Sequence, residues 1–269
     1  MGTDPRAPLR GTRPPGAENE QEAARAIRGM FSDIAARYDL LNHLLSANLD
    51  RLWRRRAARA LDRILRLPHA RVLDVCCGTG DLALALKRQA THSCSPGAEI
   101  CASDFAHPML VRAAQKWRAA GGAAAGGTRG LRFFEADALR LPLPDASFDL
   151  VTVAFGFRNL ANYQAGLREF FRLLRPRGTL AILEFAEPRG KLFGRLYRFY
   201  FRRILPWIGR AISGSSGAYS YLPASVEKFP SPESLVEMMR GAGFAESGYE
   251  LWTGGAVALH TGSRPGGQL

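Results

Sequence analysis

The stretch RVLDVCCGTGDLALAL, residues 71 to 86, constrains what this chain can fold into more than any other. Val72 to Cys76 read as a short buried strand and Gly78, Thr79 and Gly80 as a tight turn. Leu82, Leu84 and Leu86 then fall on the helix that follows. A helix leaving a strand directly through a glycine turn belongs to parallel α/β sheets, where ligands bind in the crevice at the carboxyl ends of the strands. Glycine suits the turn because a backbone without Cβ can approach a ligand closely. Gly78, Gly80 and Ala83 also satisfy a loose G-x-G-x-x-A dinucleotide spacing, so the turn alone does not name its ligand.

Asp74 separates the two readings, because it sits inside the strand, where a dinucleotide-binding strand is apolar throughout. A carboxylate there meets a cationic ligand end, such as the amino group of S-adenosylmethionine, directly or through water. A pyrophosphate would be repelled. The alternative is that Asp74 only ties down the turn backbone. Asp104, 24 residues after Gly80, ends a second strand near the distance at which an acid takes a ribose hydroxyl pair. It alternatively caps the next helix, expected from about Pro108. Asp137 and Ala138 end the third strand, where a carboxylate and a backbone amide can read the exocyclic amine and a ring nitrogen of adenine.

The rest of the pattern extends this unit. Phe148 to Phe155 form a fourth, central strand, broken by GFRN (156 to 159) at the end where such sheets place their chemistry. FFRLLRPRGTLAILEF (170 to 185) reads as a helix end, a turn and a fifth strand. A helix at 231 to 241 and the pair FAESGYELW and AVALHTGSR complete a seven-stranded sheet, mostly parallel, with an antiparallel last strand. The fold class is therefore α/β and Rossmann-like. Residues 21 to 66 carry helical patterning, with Asp39 or Ser46 as caps, and precede the first strand as lid helices do. The arginines at 51, 54, 55, 56 and 59 read by default as a solvated face. Residues 1 to 20 lack apolar periodicity and read as a disordered tail, leaving 67 to 269 as the ligand-binding domain.

Charge is informative once located. The net +13 places +7 in residues 189 to 212, a segment without one acid, whereas a nucleic-acid groove spreads its cations more widely. In KLFGRLYRFYFRRILPWIGRAI (191 to 212), Lys191, Arg195, Arg198 and Arg202 share one helical face. Phe193, Leu196, Tyr197, Tyr200, Phe201 and Ile204 share the opposite one. Such a helix suits an anionic membrane surface; alternatively its apolar face packs on the sheet and its arginines are simply wet. No apolar run is long enough to cross a bilayer. Cys76, Cys77, Cys94 and Cys101 make no C-x-x-C pair and the five histidines are scattered, so no structural metal is expected. The adjacent Cys76 and Cys77 read as small apolar residues in a reducing compartment.

Asp74 to Gly80, Asp104, the D-A pair at 137, the P-x-x-D-x-x-F-D turn and the L-x-P-x-G turn together resemble class I S-adenosylmethionine methyltransferases. YDLLNHLLS (38 to 46), VAFGFRN (153 to 159) and AYSYLPASVEKFP (218 to 230) narrow the resemblance to the ubiquinone/menaquinone C-methyltransferases, over roughly residues 28 to 263. Three positions depart from that pattern: Asp50 stands for a histidine, Ala154 for a serine, and Arg177 for the first glycine of K-P-G-G. The resemblance implies S-adenosylmethionine held by Asp74, Gly78, Thr79, Gly80, Asp104, Asp137, Ala138 and, through backbone, Ala154. It implies methyl transfer, without a metal, to a ring carbon of a polyprenylated quinol such as demethylmenaquinol. Arg158 is expected to hold the phenolate or an ordered water, with Asn159 bracing the loop. Tyr219 acts beside them, and Tyr38, Asn42 and Tyr221 contact the substrate; packing under the closing loop is the alternative for the two later tyrosines. The expected setting is cytoplasmic, peripheral to the inner face of the membrane through 189 to 230, with no nucleic-acid partner and homo-oligomerisation left open. Competing readings are an RNA or DNA methyltransferase, although no N-P-P-Y or paired-cysteine nucleophile motif is present, an NAD(P) oxidoreductase, and a non-catalytic membrane-binding protein of the same fold.

Overall fold

The computed structural model describes residues 11–14, 16–36, 38–39, 46, 48–93, 97–122, 130–188 and 225–266. Asn42, Tyr219, Tyr221 and the basic segment 191 to 212 lie outside the described residues.

Seven strands form one sheet: β1 (Arg71–Val75), β2 (Glu99–Asp104), β3 (Leu131–Glu135), β4 (Phe148–Ala154), β5 (Leu174–Phe185), β6 (Ala245–Trp252) and β7 (Val257–Ser263), in the order β3-β2-β1-β4-β5-β7-β6. β1 pairs in parallel with both β2 and β4, while β7 runs antiparallel to β5 and β6. The chain winds from β1 outward to β3, then returns to β4 on the other side of β1. This reversal opens a crevice beyond the carboxyl ends of β1 and β4. The expected sheet and its order of elements are those observed.

Alternation along the central strands sends side chains to two apolar layers. Val72 and Leu150 join one cluster with Trp53, Leu65, Leu82 and Leu86; Leu73, Val75 and Val151 join the other with Leu167, Phe170, Leu235 and Met239. The first layer is built by α2 (Leu49–Ala60), α3 (Asp62–Leu65) and α4 (Asp81–His92), the second by α6 (Tyr163–Leu173) and α7 (Pro232–Gly241). Two further helices are α1 (Glu20–Ile34) and α5 (His107–Ala119). Asn19 caps α1 by accepting the Glu22 amide at 2.9 Å, and Pro108 sits in the first turn of α5, where a missing N–H costs nothing.

Two expectations for the segment before β1 need correction. Residues 11 to 20 are not a loose tail throughout. Thr12 is buried, its amide donating to the Leu160 carbonyl at 3.2 Å and its hydroxyl bonded to that of Tyr163. A Cβ on Gly11 would lie 1.9 Å from the Leu160 oxygen, so only glycine allows this docking. The arginine run is also not uniformly solvated: Arg51, Arg55, Arg56 and Arg59 are exposed, but Arg54 is buried. It lies on the face of α2 that carries Trp53, Ala57 and Ala58 into the core. Trp53 packs against Phe155 and Phe185, ring centroids 6.0 and 6.2 Å away, and those two rings are 4.7 Å apart. Its indole N–H donates to Thr253 at 2.8 Å.

Candidate active site

The crevice is floored by tightly apposed strand ends. Cys76 and Phe155 follow β1 and β4 with φ of 54° and 58°, conformations in which non-glycine residues store strain, characteristically at functional sites. Next to Phe155, Gly156 lies so close to Cys76 that a Cβ would come within 2.4 Å of the cysteine's own. The turn after β1 holds Gly78 at φ 55° and Gly80 at φ 83°. A cleft of about 940 Å³, counting its open side, lies over these ends. Asp74, Gly78, Thr79, Asp104, Asp137, Ala138, Ala154 and Asn159 all line it, and Tyr38 closes it from the N-terminal side. The topology thus brings these predicted residues together from four different strand ends; Gly80 shapes the turn without lining the cleft.

Asp74 is wholly buried; Thr152 donates to its Oδ1 at 2.8 Å, while Oδ2 has no hydrogen-bond partner. Burial pushes its carboxyl up to about 7, against the opposing pull of Thr152 and Arg54. The Ala83 amide at the start of α4 adds to that pull, so Asp74 both lines the cleft and ties down the turn that follows β1. Asp104 combines both of its readings. It lines the cleft, yet its Oδ2 accepts the Gly78 amide at 2.8 Å and its Oδ1 the Ala106 amide at 2.9 Å, tying the glycine turn to the entrance of α5. Burial raises it to about 6, with those amides opposing. Asp137 is exposed, its Oδ1 accepting the Leu139 amide at 2.9 Å. Burial, then the carboxylates of Asp104 and Asp74, push the Cys76 and Cys77 thiols well up.

Thr79 does not present its hydroxyl to the cleft alone. It donates to Asp39 at 2.5 Å and accepts from Lys116 Nζ at 2.9 Å. Lys116 also pairs with Asp39 at 2.7 Å and Asp81 at 2.6 Å. Asp81 stands 4.0 Å from Arg54, which pairs closely with Asp50 and lies over the Phe155 ring at 5.3 Å. A charged chain thus runs from the glycine turn to α2 and α5. Desolvation works against the Arg54 charge, yet Asp81 and Asp50 hold its pKa above the ordinary value. Asp39 belongs to this network, and the residues it would cap lie outside the described ones; Ser46 accepts the Asp50 amide at 3.4 Å, while Asn48 is the N-cap of α2 without a side-chain cap bond.

Arg158 is placed differently from expectation. Its guanidinium does not line the cleft but donates to Glu184 Oε1 at 2.7 Å and to the Phe155 carbonyl, while its amide reaches Glu184 Oε2 at 3.2 Å. The 3₁₀ turn Phe157–Asn159 turns the side chain under the strand ends, where the buried Glu184 carboxylate needs a counter-charge. Asn159 alone of this pair reaches the cleft.

The ubiE/COQ5 methyltransferase family model matches residues 18 to 264. The chain belongs to this family. It is 53% identical to a protein from Thermus thermophilus named demethylmenaquinone methyltransferase, over 88% of this chain and 100% of that relative. It is 42% identical to a Geobacter sulfurreducens protein named ubiquinone/menaquinone biosynthesis C-methyltransferase UbiE, over 90% of each chain. Its fold is that of a SAM-dependent methyltransferase from Thermotoga maritima, with TM-score 0.58 and 19% identity, covering 88% of this chain and 99% of that one. In this member of the ubiE/COQ5 family, the residues that reading the sequence missed are Arg54, Lys116 and Asp81. The i, i+4 spacing of Asp50 and Arg54 was the available signal for the first. Arg177, where the resemblance leads one to expect glycine, adopts φ 66°, the conformation glycine favours.

Proposed function

We propose that this protein transfers the methyl group of S-adenosylmethionine to a ring carbon of a polyprenylated quinol, with demethylmenaquinol as acceptor. The observation that carries the donor assignment is the buried Asp74 carboxylate lining the cleft beside a glycine turn with two positive φ values. The acceptor follows from 53% identity along the full length of a relative named for it.

The residues fit the donor. Asp74 offers an acceptor for its ammonium, Asp104 for the ribose, and Asp137 with Ala138 for the adenine edge, each from a separate strand end. Bound there, S-adenosylmethionine supplies an electrophilic methyl on a sulfonium. The protein's part is alignment and exclusion of water, since a quinol carbon beside an ionising hydroxyl is already nucleophilic. Asn159 and Ala154 to Gly156 line the same cleft and would border the acceptor. Arg158, held by Glu184, fixes that loop rather than touching the acceptor, so its role is positioning. Tyr219, Tyr221 and Asn42 remain proposed acceptor contacts, and 191 to 212 the proposed contact with an anionic inner membrane face. No helix among the described residues is long and apolar enough to cross a membrane. Nucleic acid is not a partner in this reading.

A labelled-methyl assay with demethylmenaquinol and a benzoquinol analogue in detergent tests the proposal. Faster labelling of demethylmenaquinol is expected; tight NADH uptake with no calorimetric response to S-adenosylmethionine would overturn it.

A further inference from the structure

A second groove lies on the far side of the charged chain, between α2, α4 and the end of α5. It measures about 1720 Å³ counting its open side, and shares Arg54 and Asp81 with the cleft. Six cations line it, Arg51, Arg54, Arg55, Arg59, Arg88 and Lys116, against two carboxylates, Asp39 and Asp81. Lys116 pairs with both of those acids. Arg55, Arg59 and Arg88 are exposed, and among the described residues none of the three has an ion-pair partner. Positions 51, 55 and 59 recur at helical spacing, so α2 presents its guanidinium groups in one row. On the same exposed arc stand Leu52, 55% exposed, and Leu49, 36% exposed.

We infer that this face of α2 and α4 is a docking surface for anionic phospholipid headgroups, with Arg55, Arg59 and Arg88 taking phosphates and Leu52 entering the interface. The composition is what an interfacial helix needs: a basic row that follows the surface potential and apolar side chains beside it that sink below the headgroups. Nucleic acid is a poorer match, because no Phe, Tyr or Trp lines the groove to stack on bases. Seating here brings the bilayer that holds the prenyl tail within one charged wall, Arg54 and Asp81, of the cleft. The inference rests on the quinol reading for its purpose but not for its test.

The test is flotation of the full chain with phosphatidylglycerol/phosphatidylcholine vesicles and with phosphatidylcholine alone. Variants are Arg55→Gln/Arg59→Gln/Arg88→Gln, the matching Arg→Lys triple, and Leu52→Ser. Each exposed basic residue near an anionic surface contributes enough that losing three should weaken binding roughly tenfold or more, with the Lys triple retaining it. The Gln triple should still methylate a short-tailed quinol in detergent at the parental rate, which separates failure of docking from failure of the proposed chemistry. Unchanged flotation of the Gln triple, equal binding to phosphatidylcholine alone, or displacement from vesicles by single-stranded RNA would each overturn the inference. If Arg195→Gln/Arg198→Gln/Arg202→Gln abolishes binding and the Gln triple does not, residues 191 to 212 account for all of it and this surface is refuted.

Discussion

Arg158 donates to Glu184 at 2.7 Å across adjacent strand ends, with the two side chains 6% and 0% exposed. The pair ties the loop after β4 to the end of β5 and so sets the height of Asn159 and Gly156 over the cleft. Removing one member strands a buried charge. Glu184→Gln or Arg158→Ala should therefore each cost about 3–5 kcal/mol in denaturant unfolding. Arg158→Lys keeps the charge but loses the planar fork; it should fold, bind S-adenosylmethionine normally and turn over more slowly. A large loss of donor affinity in Arg158→Lys would mean that the guanidinium reaches the donor after all.

Asp74 makes donor binding depend on pH. Its carboxyl titrates near 7 in the folded protein against 3.8 in the unfolded chain. The folded state thus holds a proton that the unfolded state has lost, and this contribution to stability is complete below 3.8 and drains away as pH rises through about 7. A cationic ligand needs the ionised form, so affinity for S-adenosylmethionine should climb with pH, by up to about tenfold per unit, and level off above 7. Asp74→Asn should flatten both trends, raising stability at alkaline pH while weakening the donor. Calorimetry from pH 6 to 8 checks it.

The glycines at the cleft should separate by what surrounds them. Gly156→Ala pushes a methyl to 2.4 Å from Cys76 Cβ and should destabilise the protein by several kcal/mol or prevent folding. Gly78→Ala meets only Tyr38, at 3.8 Å, so its cost is the φ of 55°, about 1 kcal/mol. Thermal melts of the two, with and without donor, should show a folded Gly78 variant whose ligand-induced stabilisation is reduced.

Thr79→Val removes both hydrogen bonds linking the glycine turn to Asp39 and Lys116. About 1–2 kcal/mol of stability should be lost, with a raised KM for the donor. Among the described residues, Asp39 then keeps only its ion pair with Lys116. Lys116→Met should do more, because it removes the cation between Asp39 and Asp81 and leaves Asp81 only its longer approach to Arg54 among the described residues.

Arg177→Gly should stabilise the protein or leave it unchanged, against the usual direction for a substitution to glycine. The gain is relief of φ 66°, on the order of 1 kcal/mol, offset by greater freedom in the unfolded chain. A midpoint in urea that falls by a large margin would show that the arginine side chain holds the strand.

Much of this site was legible because it is written in short range. Asp74, Gly78, Gly80 and Asp104 announce themselves by type and spacing, and the helix and strand periods fix which strand end each occupies. Direction was not legible. That Arg158 turns toward Glu184, 26 residues further on, depends on a counter-charge arriving from β5, which no local pattern around GFRN records. Arg54 disappears into a run of arginines; only the packing of Trp53, Ala57 and Ala58 decides which of them goes inside. Thr12 docks on Leu160 across a span that composition alone reads as slack.

The Trp53–Phe155–Phe185 contact changes what the entrance can do. A helix bolted by its tryptophan to the tips of β4 and β5 is a door frame, and the frame cannot swing without pulling the hydrophobic interior apart. Among the described residues, then, α2 is an immovable jamb of the cleft, and Trp53→Ala should loosen it and the tips of both strands together.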